Sequence, residues 1–253
     1  MAALDLGPKE HVAVVGGGGK STLCFALAEA LRLAGARVIS STTTKVRQEE
    51  AKAFPRLALC TSGMPDVNAL KNGLDETGMV FVGREFLQNG KVEGISSTYA
   101  DDFFRMPDVD YVIVEADGAA GRPVKAPAAH EPVIPQSVTL VIALMGLTAL
   151  GKPLGPELVF RPALFEALTG LSEGDILTPE GLSKAFDGKA GLFKNTPVSA
   201  RRVVFLNQLD ILPDHGAARD LARHIIREHP FVERVVLGSF RNNEFSTTQR
   251  EKI

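Results

Sequence analysis

The chain has 253 residues, 45% hydrophobic and 23% charged, with a formal net charge of −2. That length holds one large α/β domain or two small ones with a sizeable core. The near-neutral charge gives no footing for nucleic acid or an anionic membrane, and no apolar run is long enough to span a bilayer. The longest, Val138 to Leu150, is broken by Gly146 and closed by Gly151 and Pro153. Met1 to Pro8 lacks a basic start and an apolar signal core, and the two cysteines, Cys24 and Cys60, are far apart. A cytoplasmic location with both thiols reduced and buried is therefore expected, without a zinc cluster.

In chain order, Val12 to Val15 reads as a buried strand and leads into Gly16-Gly17-Gly18-Gly19-Lys20-Ser21-Thr22. Leu23, Leu27, Ala30, Leu31 and Ala34 then recur at helical spacing up to Gly35. Arg37–Ser40 reads as the next strand, which makes a parallel strand–helix–strand unit. Leu57 to Cys60 is a short strand candidate. Met79 to Gly83 and Lys91 to Ile95 look like a small inserted hairpin. Asp110 to Glu115, Val138 to Leu144, Arg202 to Leu206 and Val232 to Leu237 are further buried strands. Leu221, Ala222, Ile225 and Ile226 mark one helix face. Short helices are predicted from Pro162 to before Gly170, and from Pro179 with Thr178 as N-cap. The pattern is a three-layer α/β fold with a mostly parallel sheet, of the P-loop nucleoside triphosphatase type. A single domain is expected over 1–253, elaborated at about 60–105 and 146–197.

The glycine run carries most of the chemistry. Glycines let successive N–H groups point inward at phosphate oxygens, and a helix N-terminus adds donors and a positive dipole end. Gly16, Gly17, Gly18, Gly19, Lys20, Ser21 and Thr22 are thus candidate nucleotide ligands, with Lys20 on the β- and γ-phosphates and Ser21 on Mg²⁺. The full spacing G-x-x-x-x-G-K-[ST] asks for glycine at Val14. Glu115 and Asp117, at the end of a strand, are candidate catalytic and Mg²⁺-binding carboxylates. In Ser41-Thr42-Thr43-Thr44-Lys45, Thr43 could ligate Mg²⁺ or sense a γ-phosphate, or the hydroxyls could cap a Lys45–Ala53 helix. Asn207 and Asp210, in Asn-Gln-Leu-Asp, resemble a guanine reader, though Gln208 stands where lysine is usual. Arg122, Lys125 and His130 follow the acidic strand end as candidate contacts to an anionic substrate.

The segments "VVGGGGKSTL", "STTTK", "VIVEADGAAGRPVKAPAAHEPVIP" and "LNQLD" together resemble the YqeC-type family over most of the chain. That family is known as a selenium cofactor biosynthesis or selenium-dependent hydroxylase accessory protein. The resemblance implies a P-loop nucleoside triphosphatase using Mg²⁺ and ATP or GTP, serving maturation of molybdenum hydroxylases with a labile selenium cofactor. An apo molybdenum hydroxylase or its cofactor is the implied partner. The loop also resembles Gly-Gly-x-Gly-Lys-[Ser/Thr] proteins; Val15 stands where their dimerising ATPases carry an extra lysine. Two alternatives fit the same residues. One is a small-molecule kinase or ATP-dependent ligase with an anionic substrate. The other is a nucleotide-switched chaperone of negligible turnover that binds its client through Gly146–Pro197.

Overall fold

The computed structural model describes residues 2–61, 63, 65–242 and 244–250. Two compact units divide the chain. Unit one comprises residues 2–14, 21–118 and 133–140; unit two comprises 15–20, 119–132 and 141–250.

Unit one holds most of β1 (Glu10–Gly16) and α1 (Lys20–Leu33), followed by β2 (Val38–Thr42), β3 (Lys45–Arg47) and α2 (Gln48–Lys52). Then come β4 (Leu57–Leu59), α3 (Val67–Thr77), β5 (Met79–Gly83), β6 (Lys91–Glu93), α4 (Ser97–Arg105) and β7 (Tyr111–Glu115). Its strands run β1-β7-β2-β5-β4, all parallel. Every residue of β2, β5 and β7 is buried, as a parallel sheet covered on both faces requires. Leu23, Leu27 and Leu31, four residues apart, are the buried stripe of α1. Ile39, Val80, Val82, Val112 and Val114 pack with Leu70, Leu74 and Phe103 from α3 and α4. Asp66 caps α3 by accepting from the Asn68 amide, and Ser96 caps α4 by accepting from the Tyr99 amide.

The parallel α/β sheet agrees with the sequence reading, but two local expectations change. Met79–Gly83 is a full member of the parallel sheet and does not pair with Lys91–Glu93. The small β insertion is instead an antiparallel ribbon of β3 and β6, with Val46 opposite Val92. Lys45 to Arg47 is accordingly a strand, not the first turn of a helix, and α2 begins only at Gln48. Val46 alternates with exposed Lys45 and Arg47. One buried apolar residue between two charged ones fits a strand better than a helix turn.

Unit two holds β8 (Val124–Lys125), β9 (Leu140–Gly146, entered at Val141), β10 (Val159–Phe160), α5 (Pro162–Thr169) and α6 (Pro179–Ser183). β11 (Arg201–Asn207), α7 (Gly216–Glu228), β12 (Arg234–Ser239) and β13 (Glu244–Gln249) complete it. The order is β9-β11-β12-β13, with β12 parallel to β11 and antiparallel to β13. Thr178 caps α6 through its hydroxyl, and Gly170 ends α5 at φ 76°. The buried face of α7 is Ala218, Leu221, Ala222 and Ile225. No helix among the described residues is long and apolar enough to cross a membrane.

At the start of β1, fully buried His11 donates from Nδ1 to Ser137 Oγ (2.9 Å), and Ser137 donates to Asp101 (2.7 Å). Among the described residues His11 Nε2 has no partner. Burial drives the imidazole down to about 4, against the pull of the Asp101 carboxylate. The unfolded chain takes up this proton near pH 6.5, while the folded chain resists it until about pH 4. Stability should therefore fall as pH drops from 6.5 to 4, by on the order of 3 kcal/mol. Urea midpoints across this range test it; a His11→Phe variant should show a shallower loss.

Candidate functional site

The glycine loop lies in unit two, between the end of β1 and the first residue of α1. Gly16, Gly18 and Gly19 have φ of 99°, 85° and 115°, which side chains rarely adopt. Gly17 is held by space instead: a methyl there would sit 2.5 Å from the Arg122 carbonyl oxygen. At Gly16 a methyl would overlap the Leu144 carbonyl, at Gly18 the Gly146 amide, and at Gly19 it would approach Asn207 Nδ2. Gly16, Gly17 and Gly18 are thus required by backbone lying on backbone, and Gly19 by its positive φ and the Asn207 side chain. Val14 needs no glycine, because it is a regular strand residue in register with Glu115.

Two loop amides are engaged by the protein. Gly17 N–H donates to Leu144 O (2.9 Å) and Gly18 N–H to Arg122 O (3.0 Å). The expected inward cradle of amides from Gly16 to Gly19 is therefore only partly realised. The N-terminal turn of α1 retains donors that lack an intrahelical acceptor. Lys20, only 5% exposed, donates from Nζ to Gly16 O at 2.8 Å. Asn207, buried at the end of β11, donates from Nδ2 to Gly18 O at 2.8 Å and so holds the loop from its far side. Gln208 is left-handed at φ 70°, and its side-chain oxygen accepts from the Thr148 hydroxyl. Asp210 is half-buried on the short turn Leu209–Ile211.

The segment after the acidic strand end folds back in unit two around a buried ion cluster. Lys125 Nζ and Glu131 are 2.7 Å apart, both almost wholly buried, and Arg161 approaches the same carboxylate. Burial alone would raise the Glu131 carboxyl, but bonds from Arg161 and Lys125 outweigh it and hold it at about 2. Lys125 is therefore occupied by Glu131 rather than presented to a substrate, which departs from the sequence expectation. Arg122 donates from Nε to Pro156 O (2.7 Å), and His130 is exposed on a turn. Sequence reasoning missed Glu131 and Arg161. They lie 6 and 36 residues from Lys125, a spacing without a motif.

In unit one, Ser21, the residue after Lys20, donates from Oγ to Glu115 at 2.8 Å. Asp117 is completely buried. Thr42 donates from Oγ1 to the Glu115 carbonyl (2.9 Å), and the Thr43 amide donates to the same oxygen (3.1 Å). Thr43 Oγ1 donates to Val133 O at 2.8 Å. Ser41 donates to Val82 O at 2.7 Å. These hydroxyls therefore cap no helix; they tie the end of β2 to its neighbours. Ser40, missed because it reads as an ordinary strand residue, is buried and has no hydrogen-bond partner among the described residues. It lines a gap of about 10 Å³ with Ser21 and Glu115. A space that small admits one water or small ion, and its oxygen donors are the hard ligands Mg²⁺ takes. Among the described residues no group of three or more His, Cys, Asp or Glu is arranged to hold a metal.

The family model described as YqeC protein matches residues 12–163. The chain belongs to the YqeC family. This family member is 33% identical over 247 residues to YqeC of Escherichia coli (strain K12), covering 91% of the chain and 94% of that protein. Among solved structures, signal recognition particle 54 kDa protein from Aeropyrum pernix K1 in complex with GDP matches at 15% identity and a TM-score of 0.45. That overlap covers 98% of this chain and 46% of the other. Chloroplast FtsY from Physcomitrella patens matches at 13% identity and 0.39, over 92% and 60% of the two chains. This chain thus spans less than two thirds of the length of these structures.

Two expected outcomes follow from this packing. Gly18→Ala should destabilise the protein by more than about 2 kcal/mol, since strain at positive φ adds to a backbone clash. Lys125→Met should cost about 3–5 kcal/mol by leaving Glu131 short of a partner, whereas Lys125→Met with Glu131→Leu should recover part of that. Denaturation midpoints measure both. A Lys125→Met protein as stable as the parent would contradict the structural role given to the ion cluster.

Proposed function

We propose that the protein is a Mg²⁺-dependent nucleotide-binding NTPase that acts in maturation of selenium-dependent molybdenum hydroxylases. The observation that carries the nucleotide part is the strand–glycine loop–Lys20–Ser21–helix sequence, with Ser21 hydrogen-bonded to the strand-end carboxylate Glu115. The maturation role is supported by the resemblance of the loop, the Glu115–Pro135 segment and "LNQLD" to the YqeC family, to which the chain belongs.

In this reading the ammonium of Lys20 leaves the Gly16 carbonyl for the phosphates, which offer it a full opposite charge. The first turn of α1 supplies amides and the positive end of its dipole. Ser21, Glu115 and the buried hydroxyl of Ser40 would hold Mg²⁺. The ion, when bound, neutralises charge on the phosphate oxygens. The residues of the chain orient the nucleotide and keep bulk water from the transferring group, so that catalysis is mostly positioning and charge stabilisation. Asn207 serves by holding Gly18, and Asp210 is the group that would read guanine.

Calorimetric titration with ATP and GTP, with and without Mg²⁺, tests the reading. Lys20→Ala should weaken Mg-nucleotide binding at least tenfold, and Glu115→Gln should remove most of the Mg²⁺ dependence. Unchanged affinity in Lys20→Ala would sink the phosphate-loop assignment. Equal affinity for ATP and GTP would remove Asp210 as a base reader.

A further inference from the structure

We infer that a second cavity in unit one, at the carboxyl ends of β4 and β5, binds a small molecule bearing a phosphate or carboxylate group. Its volume is about 870 Å³, and its lining includes Cys60, Thr61, Arg84, Ser96, Thr98 and Tyr99. In open α/β sheets ligands collect beyond the carboxyl ends of parallel strands, and the volume is that of a metabolite-sized site.

The lining selects the charge of the occupant. Four of the six residues carry hydroxyls, Arg84 supplies the one cation, and no Asp or Glu is among the lining residues. Arg84 forms a loose ion pair with Glu93 at 3.7 Å, beyond hydrogen-bond length, with its side chain 58% exposed. A planar guanidinium held so loosely is suited to a bidentate oxyanion. Cys60 sits at the buried side of the cavity, and burial pushes its thiol up to about 11. It presents a neutral surface there, not a competing negative charge.

The cavity wall is bonded to the threonine segment at the end of β2. Gly94 N–H donates to Thr44 O (2.6 Å) and Ile95 N–H to Thr42 O (2.9 Å). Thr42 in turn donates to the Glu115 carbonyl, and Glu115 accepts from Ser21. Three consecutive hydrogen bonds thus connect the cavity wall to the residues assigned to Mg²⁺. A methyl on Gly94 would overlap the Thr42 carbonyl, so this approach is as close as backbones allow. The occupant is accordingly the second, anionic substrate of the nucleotide chemistry; that identification rests on the proposed function, whereas the binding itself does not.

The chain has two tyrosines and no tryptophan, and Tyr111 is buried with its hydroxyl donating to Gly7 O. Tyrosine fluorescence of the protein therefore reports chiefly on Tyr99. Titration with inorganic phosphate and, separately, with malonate is done without nucleotide. At least one should give a saturable change that weakens tenfold or more in Arg84→Ala, persists in Lys20→Ala and disappears in Tyr99→Phe. Calorimetry of the Tyr99→Phe protein distinguishes lost signal from lost binding. No saturable response to either anion in fluorescence or calorimetry overturns the site. A response abolished by Lys20→Ala and untouched by Arg84→Ala also overturns it, because the anion then occupies the glycine loop. Anion binding of the expected kind in a protein that binds no nucleotide overturns the second-substrate role and leaves the anion site standing.

Discussion

Backbone lying directly on backbone at Gly16, Gly17 and Gly18, with the Asn207 side chain against Gly19, is the constraint from which the rest of unit two is arranged. Three of these glycines have positive φ, and the fourth has a carbonyl where its Cβ would be. Because no side chain intervenes, the Leu144 and Arg122 carbonyls come close enough to accept the loop amides. Asn207 closes the arrangement by reaching Gly18 O from the end of β11. The end of β9, the end of β11 and the 119–132 segment are thereby fixed by one turn. A buried amide or carbonyl left without a partner is costly, so these bonds define the geometry more sharply than apolar packing could.

The 119–132 segment needs a second device, because it carries few apolar side chains to bury. It uses the cluster of Lys125, Glu131 and Arg161. Taking these charges out of water is expensive, and their attraction offsets that cost only with close, directed hydrogen bonds. The two cations converge on one carboxylate, and the Ala128 amide adds a third donor. Phe160 lies beneath the Arg161 guanidinium, its ring centroid 4.5 Å away. The pairing of β8 with β10 brings these residues together. The result is a specified loop conformation rather than a large gain in stability.

Much of the fold was legible because burial writes itself into sequence. Continuous apolar runs gave β1, β7, β9, β11 and β12, and helical spacing gave α1 and α7. The Thr178 cap and the Gly170 stop were legible because each has a local chemical reason. β13 was not legible: Glu-Phe-Ser-Thr-Thr-Gln is exposed at all but one position, so its pairing leaves no apolar alternation. β3 was obscured because a three-residue ribbon strand takes its identity from a partner 46 residues away. In the candidate site, the glycines, Lys20, Ser21 and Glu115 announce themselves by type and spacing. Ser40, Glu131 and Arg161 do not, since their roles come from what the fold places beside them. Lys125 was misread for the same reason: a lysine near a glycine loop looks like an anion clamp until its partner is known.

The bond from Lys20 to the Gly16 carbonyl has a thermodynamic consequence. An ammonium only 5% exposed has lost most of its hydration before any ligand arrives. The dehydration cost is therefore met when the chain folds, not when a ligand docks. Any ligand that engages this ammonium would be spared the cost of stripping it of water.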